Sequence, residues 1–340
     1  MKMENWRITT SPSALTEGLF GQIVLWVFEV LPKLYENRIF PRWQITSLKY
    51  GVEPDFTVIP GVFDLNYDTG TVQTKDIDLM HVRDDFARIL GNEWGALNIL
   101  WSTYFRIPSR TVERGDQFGD LNHTLGLHYR GTDKNKDSMG LTNPVSYDDF
   151  LTLVTHFVDD HSDINTLFVA SDETGIKELV RRNYPGHRVI DTGKVTFWNA
   201  PTHDKTYSKA DHVVLDCLLL SRCRYLIKNE SAMSAFAKVL NPELEAYRMA
   251  ACKLVWDFPY FPDAYIPPLT SENRECQAIL ERTFEGDWTQ NKDAWRKFGK
   301  PFVAMEPPRE STRMKLALTY LRAKSLMRRA FVTSPRKSSI

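Results

Sequence analysis

The residues best suited to chemistry stand together in one string, His128-Tyr129-Arg130-Gly131-Thr132-Asp133-Lys134, directly after an apolar run at 125–129. A guanidinium in that place can donate two parallel hydrogen bonds to a phosphate, each charge-assisted and worth roughly 1.5–3 kcal/mol. Gly131 allows backbone to approach a ligand closely, and Asp133 can orient Arg130 from behind. Two further blocks accompany it. Leu167-Phe168-Val169-Ala170-Ser171-Asp172-Glu173 is an apolar run ending in a hydroxyl and two acids. Val214-Leu215-Asp216, Leu220-Ser221-Arg222-Cys223 and Tyr225-Leu226-Ile227-Lys228-Asn229-Glu230-Ser231 make the third block. Walker-type phosphate loops, Gly-x-Ser-x-Gly elbows and His-Glu-x-x-His zinc sites are not spelled anywhere. Asp76-Ile77-Asp78 has the spelling of a divalent-cation pair, yet it follows the polar Thr74-Lys75 rather than an apolar strand. No metal role is expected of it, and His203-Asp204 reads as loop surface.

The elements that must position these groups alternate regularly from Leu121 onward. Strands are predicted at 125–129, 166–170, 188–190 and 225–227, with helices at 147–158, 172–183, 208–221 and 231–240. Ser208 and Asp211 have capping-box spacing for the third of those helices, and Asn241-Pro242 stops the fourth. Strict alternation implies a parallel, doubly wound sheet, whose ligands sit at the carboxyl ends of its strands. That rule selects 128–134, 171–173 and 228–231. Before Leu121 the pattern is looser: an extended segment at 6–8, a helix-like apolar stretch at 20–34, a strand at 56–59 and one or two helices within 84–104. The polar run 113–120 reads as the join to the second lobe. Residues 247–268, rich in aromatics and prolines, read as a packed connection between lobes or as a stacking surface for sugar rings.

Length and composition bound what such a molecule does. At 340 residues there is room for two domains, with 42% hydrophobic and 25% charged residues, an ordinary globular profile. Formal net charge is zero, which argues against nucleic acid as a partner. Cys217, Cys223, Cys252 and Cys276 form no disulfide or zinc spacing and fit a reducing compartment. The apolar run 19–31 is interrupted by Gln22 and Glu29, too short and polar to span a bilayer, and no secretory signal is legible, so the chain reads as cytoplasmic. From Arg313 the tail carries eight basic and no acidic residues. It suits either a solvated helix or peripheral contact with anionic lipid at the inner face of a membrane.

In this order the three blocks resemble the motifs shared by the α-1,6-fucosyltransferase and nodulation-fucosyltransferase family, and more distantly by the protein O-fucosyltransferases. The resemblance covers roughly residues 125–242. A weaker echo, Glu17-Gly18-Leu19-Phe20-Gly21-Gln22, is similar to the family's glycine-rich turn. The resemblance implies an α/β, GT-B-like fold of two Rossmann-like lobes with a cleft between them. The acceptor-side lobe would span 1–120, the nucleotide-sugar lobe 121–300, and a basic tail 301–340. It implies transfer of a sugar, fucose in the first instance, from a GDP-sugar to a glycan or oligosaccharide, without metal or other cofactor. Another GDP-sugar, or a non-catalytic binding module of the same fold, is the alternative.

Position by position, the resemblance implies that Arg130 binds the β-phosphate and stabilises departing GDP. His128 and Asp216 would read guanine, whose adjacent N–H donors suit a carboxylate. Ser231 would add a hydroxyl and helix-start N–H groups to the phosphates, and Asp172 would hold the loop nearby. Gly21 and Gln22 would line the donor site from the first lobe. Three departures stand out: Gly131 replaces a second arginine, Ala232 follows Ser231 in place of a second serine, and the glycine-rich turn is one residue short. Two carboxylates are candidates for the base that takes the acceptor's proton, Asp137 beyond the first motif and Glu17 across the expected cleft. Each also reads as an ordinary loop or helix-start acid.

Overall fold

Parallel strands buried on both faces read as nearly continuous apolar runs, and residues 124–129 and 166–171 are buried at every position. The structure, a computed structural model, describes residues 5–9, 19–20, 23, 31, 34, 40–46, 57–59, 61–67, 74–76, 94–131, 145–193, 208–229, 231–249, 264–265 and 273–284. Their elements, in chain order, begin with β1 (Asn5–Thr9), β2 (Arg42–Thr46), β3 (Thr57–Ile59), β4 (Asp64–Leu65) and β5 (Thr74–Asp76). Then come α1 (Trp94–Tyr104), β6 (Phe105–Arg106), α2 (Ser109–Asp116), β7 (Thr124–Tyr129), α3 (Tyr147–Asp160), β8 (Thr166–Ser171), α4 (Thr174–Asn183) and β9 (Arg188–Ile190). The last are α5 (Ser208–Arg222), β10 (Tyr225–Lys228), α6 (Ala232–Leu240), β11 (Glu245–Arg248), β12 (Ala264–Tyr265) and α7 (Arg274–Phe284).

The second half is an α/β unit around a six-stranded, wholly parallel sheet of order β12-β11-β10-β7-β8-β9. The chain runs outward from β7 through β8 to β9, then returns to β10 on the other side of β7 and runs outward again. Strand order therefore reverses between β7 and β10. Side chains alternate between the two faces, as the pleat requires. Leu125, Leu127 and Tyr129 join a cluster with Phe150, Phe157, Ile176 and Ile279, whereas Phe168, Leu226 and Ala246 join one with Leu219 and Phe236. Helix α3 owes its stripe to Phe150, Leu153, Val154, Phe157 and Val158. The Ser146 side chain caps it by accepting from the Asp149 N–H at 3.1 Å.

The first half carries a smaller sheet, β3-β2-β1-β5, parallel except at β2–β3. Its core is continuous with one face of the larger sheet: Phe236 of α6 lies 4.7 Å from Trp101, 5.5 Å from Phe20 and 6.5 Å from Phe63 between ring centroids. Asn98 of α1 donates to the carbonyls of Val239 and Leu240 at 3.0 Å each, capping the last turn of α6 from another element.

Several expectations need correction. The join predicted at 113–120 is helical as far as Asp116, because α2 packs on α5 through Gly115, where a Cβ would meet Arg222 and Leu218 at 2.9–3.2 Å. Among the described residues helix α5 begins at Ser208, and Asp211 in its first turn pairs with Arg110 of α2 at 3.1 Å. Tyr247 and Tyr265, read as part of a connection, lie in β11 and β12 and extend the sheet. The helix predicted from 172 starts at Thr174, which leaves Asp172 and Glu173 in the turn after β8. Cys217, Cys223 and Cys276 are free and buried; Cys252 lies outside the described residues. So do the basic tail and Asp78, while Asp76 ends β5. No described helix is long and apolar enough to cross a membrane.

Candidate functional site

Register alone assembles the rim. His128 pairs with Lys228 of β10 on one side and Ala170 of β8 on the other, and Tyr129 pairs with Ser171. Arg130 and Gly131 thus leave the carboxyl end of the central strand flanked by Asp172 and Glu173, and by Asn229 and Ser231. In doubly wound sheets the ligand crevice lies where strand order reverses, here between β7 and β10.

His128 shares a face with Gly126, whose missing Cβ lets Leu220 of α5 and Cys223, just past its end, approach to 3.0–3.2 Å of where it would sit. Its Nδ1 lies 2.9 Å from the Ser234 hydroxyl, which donates its one proton to the Ser231 carbonyl at 3.2 Å. With that proton on the carbonyl, Nδ1 carries the ring proton and Nε2 is an acceptor. Burial, then the positive charges of Lys228 and Arg130, push this imidazole down to about 3, so it is neutral at physiological pH. Ser231 is the N-cap residue of α6, with its side chain buried and unused as a cap. Beside it the Asn229 N–H donates to the His128 carbonyl at 3.1 Å, while Asn229 Oδ1 is buried with no hydrogen-bond partner among the described residues. Together these are an imidazole acceptor, an amide acceptor and a hydroxyl at a helix start.

On the β8 side the Asp172 carboxylate accepts from the Gly131 N–H at 3.1 Å, tying the turn after β7 to the turn after β8. Glu173 fills the space above Gly131: a Cβ there would lie 2.5–2.6 Å from its carboxylate. The Tyr147 hydroxyl donates to that carboxylate at 2.5 Å. Any side chain at Gly131 would displace Glu173. Tyr129 donates to the Val145 carbonyl at 2.6 Å.

Asp216 stands further along the rim. It projects from α5, buried, and accepts from the Thr192 hydroxyl at 2.8 Å in the loop after β9. Burial pushes its carboxyl up to about 6 against the opposing Thr192 hydrogen bond and the charges of Lys177 and Arg114.

Of the residues selected from sequence, His128 lies near the end of β7, Arg130, Asp172 and Ser231 follow β7, β8 and β10, and Asp216 lies on α5 against Thr192 of the loop after β9. Asp133, Asp137, Glu17, Gly21 and Gln22 lie outside the described residues. Sequence reasoning selected the stretches that hold Lys228 and Glu173 without giving either a role, and it passed over Ser234 and Tyr147. Ser234 could have been found from its spacing of three from Ser231, which places both at the same helix start. Nothing in the sequence pairs Tyr147 with Glu173. A groove of about 550 Å³ beside edge strand β9, with Phe118, Arg181, Arg188 and Asp191 among its walls, contains none of the selected residues. Among the described residues no three His, Cys, Asp or Glu side chains are grouped to hold a metal ion.

No protein-family model and no curated protein sequence matches the chain. Solved structures similar to it are fucosyltransferases. NodZ α-1,6-fucosyltransferase soaked with GDP-fucose is 13% identical, at TM-score 0.43 over 72% of this chain and 95% of that one. Fucosyltransferase NodZ from Bradyrhizobium gives 14%, 0.41, 70% and 94%. POFUT1 in complex with GDP gives 10%, 0.45, 73% and 98%. At these scores the functional reading rests on the side chains rather than on the likenesses.

Proposed function

We propose that the chain is an inverting glycosyltransferase that moves fucose from GDP-fucose to a hydroxyl of a glycan or oligosaccharide. What supports the reading is that Arg130, His128 and Ser231 all lie at the carboxyl ends of β7 and β10, where strand order reverses. Arg130 meets the pyrophosphate, and Ser231 presents a hydroxyl beside the first N–H groups of α6. His128, neutral and with Nε2 as acceptor, takes an N–H of guanine. The buried Asn229 Oδ1 supplies a second acceptor on the same rim. Asp216 reads the base from α5, Asp172 holds the Gly131 turn, and Asp133, Gly21 and Gln22 complete the donor site.

The acceptor oxygen attacks the anomeric carbon as the bond from that carbon to the β-phosphate oxygen breaks. The bonding pair leaves with GDP, where the Arg130 guanidinium stabilises the growing charge. The acceptor's proton passes to a carboxylate, Asp137 or Glu17. No metal takes part in this scheme. The nucleotide-sugar lobe is assigned to 121–300, the acceptor lobe to 1–120, and the basic tail to contact with an anionic membrane surface.

A panel of GDP-, UDP- and dTDP-sugars, read by thermal shift and by sugar release, tests the proposal. Stabilisation by GDP-sugars, with release fastest for fucose and lost in a folded Arg130→Ala variant, supports it. Response to UDP- or dTDP-sugars alone, or near-parental release by Arg130→Ala, refutes it.

A further inference from the structure

The loop after β9 is tied down by groups that neither the fold nor the phosphate site requires. Asp191 is buried there and accepts from the Gly193 N–H at 2.6 Å, a turn closed by the left-handed backbone of Gly193 (φ 73°). From α4, Lys177 brings its ammonium to 3.5 Å from Asp191 Oδ1, and Arg181 pairs with Oδ2. Lys177 is buried, only 4% exposed, an unusual place for a lysine unless its charge is used. The next residue, Thr192, turns its hydroxyl the other way and donates to Asp216 Oδ1 on α5. One three-residue turn therefore connects the lysine of α4 to the carboxylate of α5.

We propose that Lys177 and Thr192 are positioning residues that fix the Asp216 carboxylate so that it accepts the paired N–H donors of a guanine. This rests on the GDP reading given above. A carboxylate on a helix turns about χ1 and χ2, and one bond from Thr192 to Oδ1 leaves Oδ2 aimed in a single direction. Asp191 sets Lys177 in place, and the ammonium offsets the cost of burying Asp216. Desolvation lowers the affinity of Lys177 for its proton, and the charge of Asp216 acts in the opposite direction. Arg114 of α2 adds positive charge from the far side. Thr192 and Lys177 thus act on recognition of the base, at a distance from the phosphates.

The test compares GDP with IDP, which lacks the guanine 2-amino group, by calorimetry on the full chain. The parent, Lys177→Met, Lys177→Arg and Thr192→Val are measured, with circular dichroism as a check on folding. The parent is expected to prefer GDP by at least about tenfold, the scale of one hydrogen bond to a charged group. Lys177→Met and Thr192→Val bring the ratio toward one, Lys177→Arg restores most of it, and inorganic pyrophosphate binds all four alike. A purely structural role would weaken GDP, IDP and pyrophosphate together. Folded variants that keep the parental ratio overturn the inference while leaving GDP binding intact. A parent that binds no GDP overturns the underlying reading as well. Should Lys177→Met not fold, Thr192→Val decides the question alone.

Discussion

Titration of His128 has a consequence for stability that can be worked out and measured. Its folded value near 3 lies below the ordinary 6.5, with burial the main cause. Between those values the unfolded chain binds a proton that the folded chain refuses. Stability therefore rises with pH through that window and is lost as pH falls. Asp216 runs oppositely: its folded value near 6 lies above the ordinary 3.8. Its contribution is greatest at low pH and is lost as pH rises toward 6. Each group acts with a slope approaching about 1.4 kcal/mol per pH unit. From pH 4 to pH 6 the histidine term adds roughly 2–3 kcal/mol while the aspartate term removes about 2 kcal/mol. The parent hides both. His128→Asn, which keeps an amide N–H for Ser234 and cannot titrate, removes one of them. Across that interval the parent should gain roughly 2–3 kcal/mol on the variant, read from urea unfolding by tryptophan fluorescence at pH 4, 5 and 6. A gap constant to within about 0.5 kcal/mol would refute the neutral, buried imidazole.

Gly131→Ala should cost about 1–3 kcal/mol by pushing the Glu173 carboxylate off the Tyr147 hydroxyl. Adding Glu173→Ala should recover most of that loss; thermal melts of the four-member cycle that prove additive would contradict the packing described. Phe236→Ala, at the meeting point of Phe20, Phe63 and Trp101, should lower stability by about 3–5 kcal/mol. Ile99→Ala, more than half exposed, should change it by less than about 0.5 kcal/mol. Equal urea midpoints for the two variants would show that the first half does not share a core with α6.

Much of the second half is legible in sequence because its strands are buried on both faces. Runs such as Leu125–Tyr129 and Thr166–Ala170 leave little else to predict, and β9 falls at 188–190 as expected. Strands β11 and β12 escaped because Glu245–Arg248 carries a charge at each end and Ala264–Tyr265 is only two residues long. Helix α2 was read as a join because its only buried residues are Thr111 and Gly115, which give no apolar stripe. At the site, residues contiguous with a strand end were found directly. Partners that meet only through tertiary packing, Ser234 with His128 or Thr192 with Asp216, leave no periodic signal. The place where strand order reverses was also illegible, since a sequence of alternating elements does not state on which side of β7 the next strand is laid.

The amide of Asn98 reaching over the end of α6 bears on how the chain can be cut. A fragment begun at 121, where regular alternation starts in the sequence, would strip α1 and α2 from α5 and α6. The carbonyls of Val239 and Leu240 would lose their donors, and Phe236 would face solvent. A fragment begun at Trp94 keeps that lid. For expression of the second half by itself, the cut belongs ahead of α1, so that these contacts travel with it.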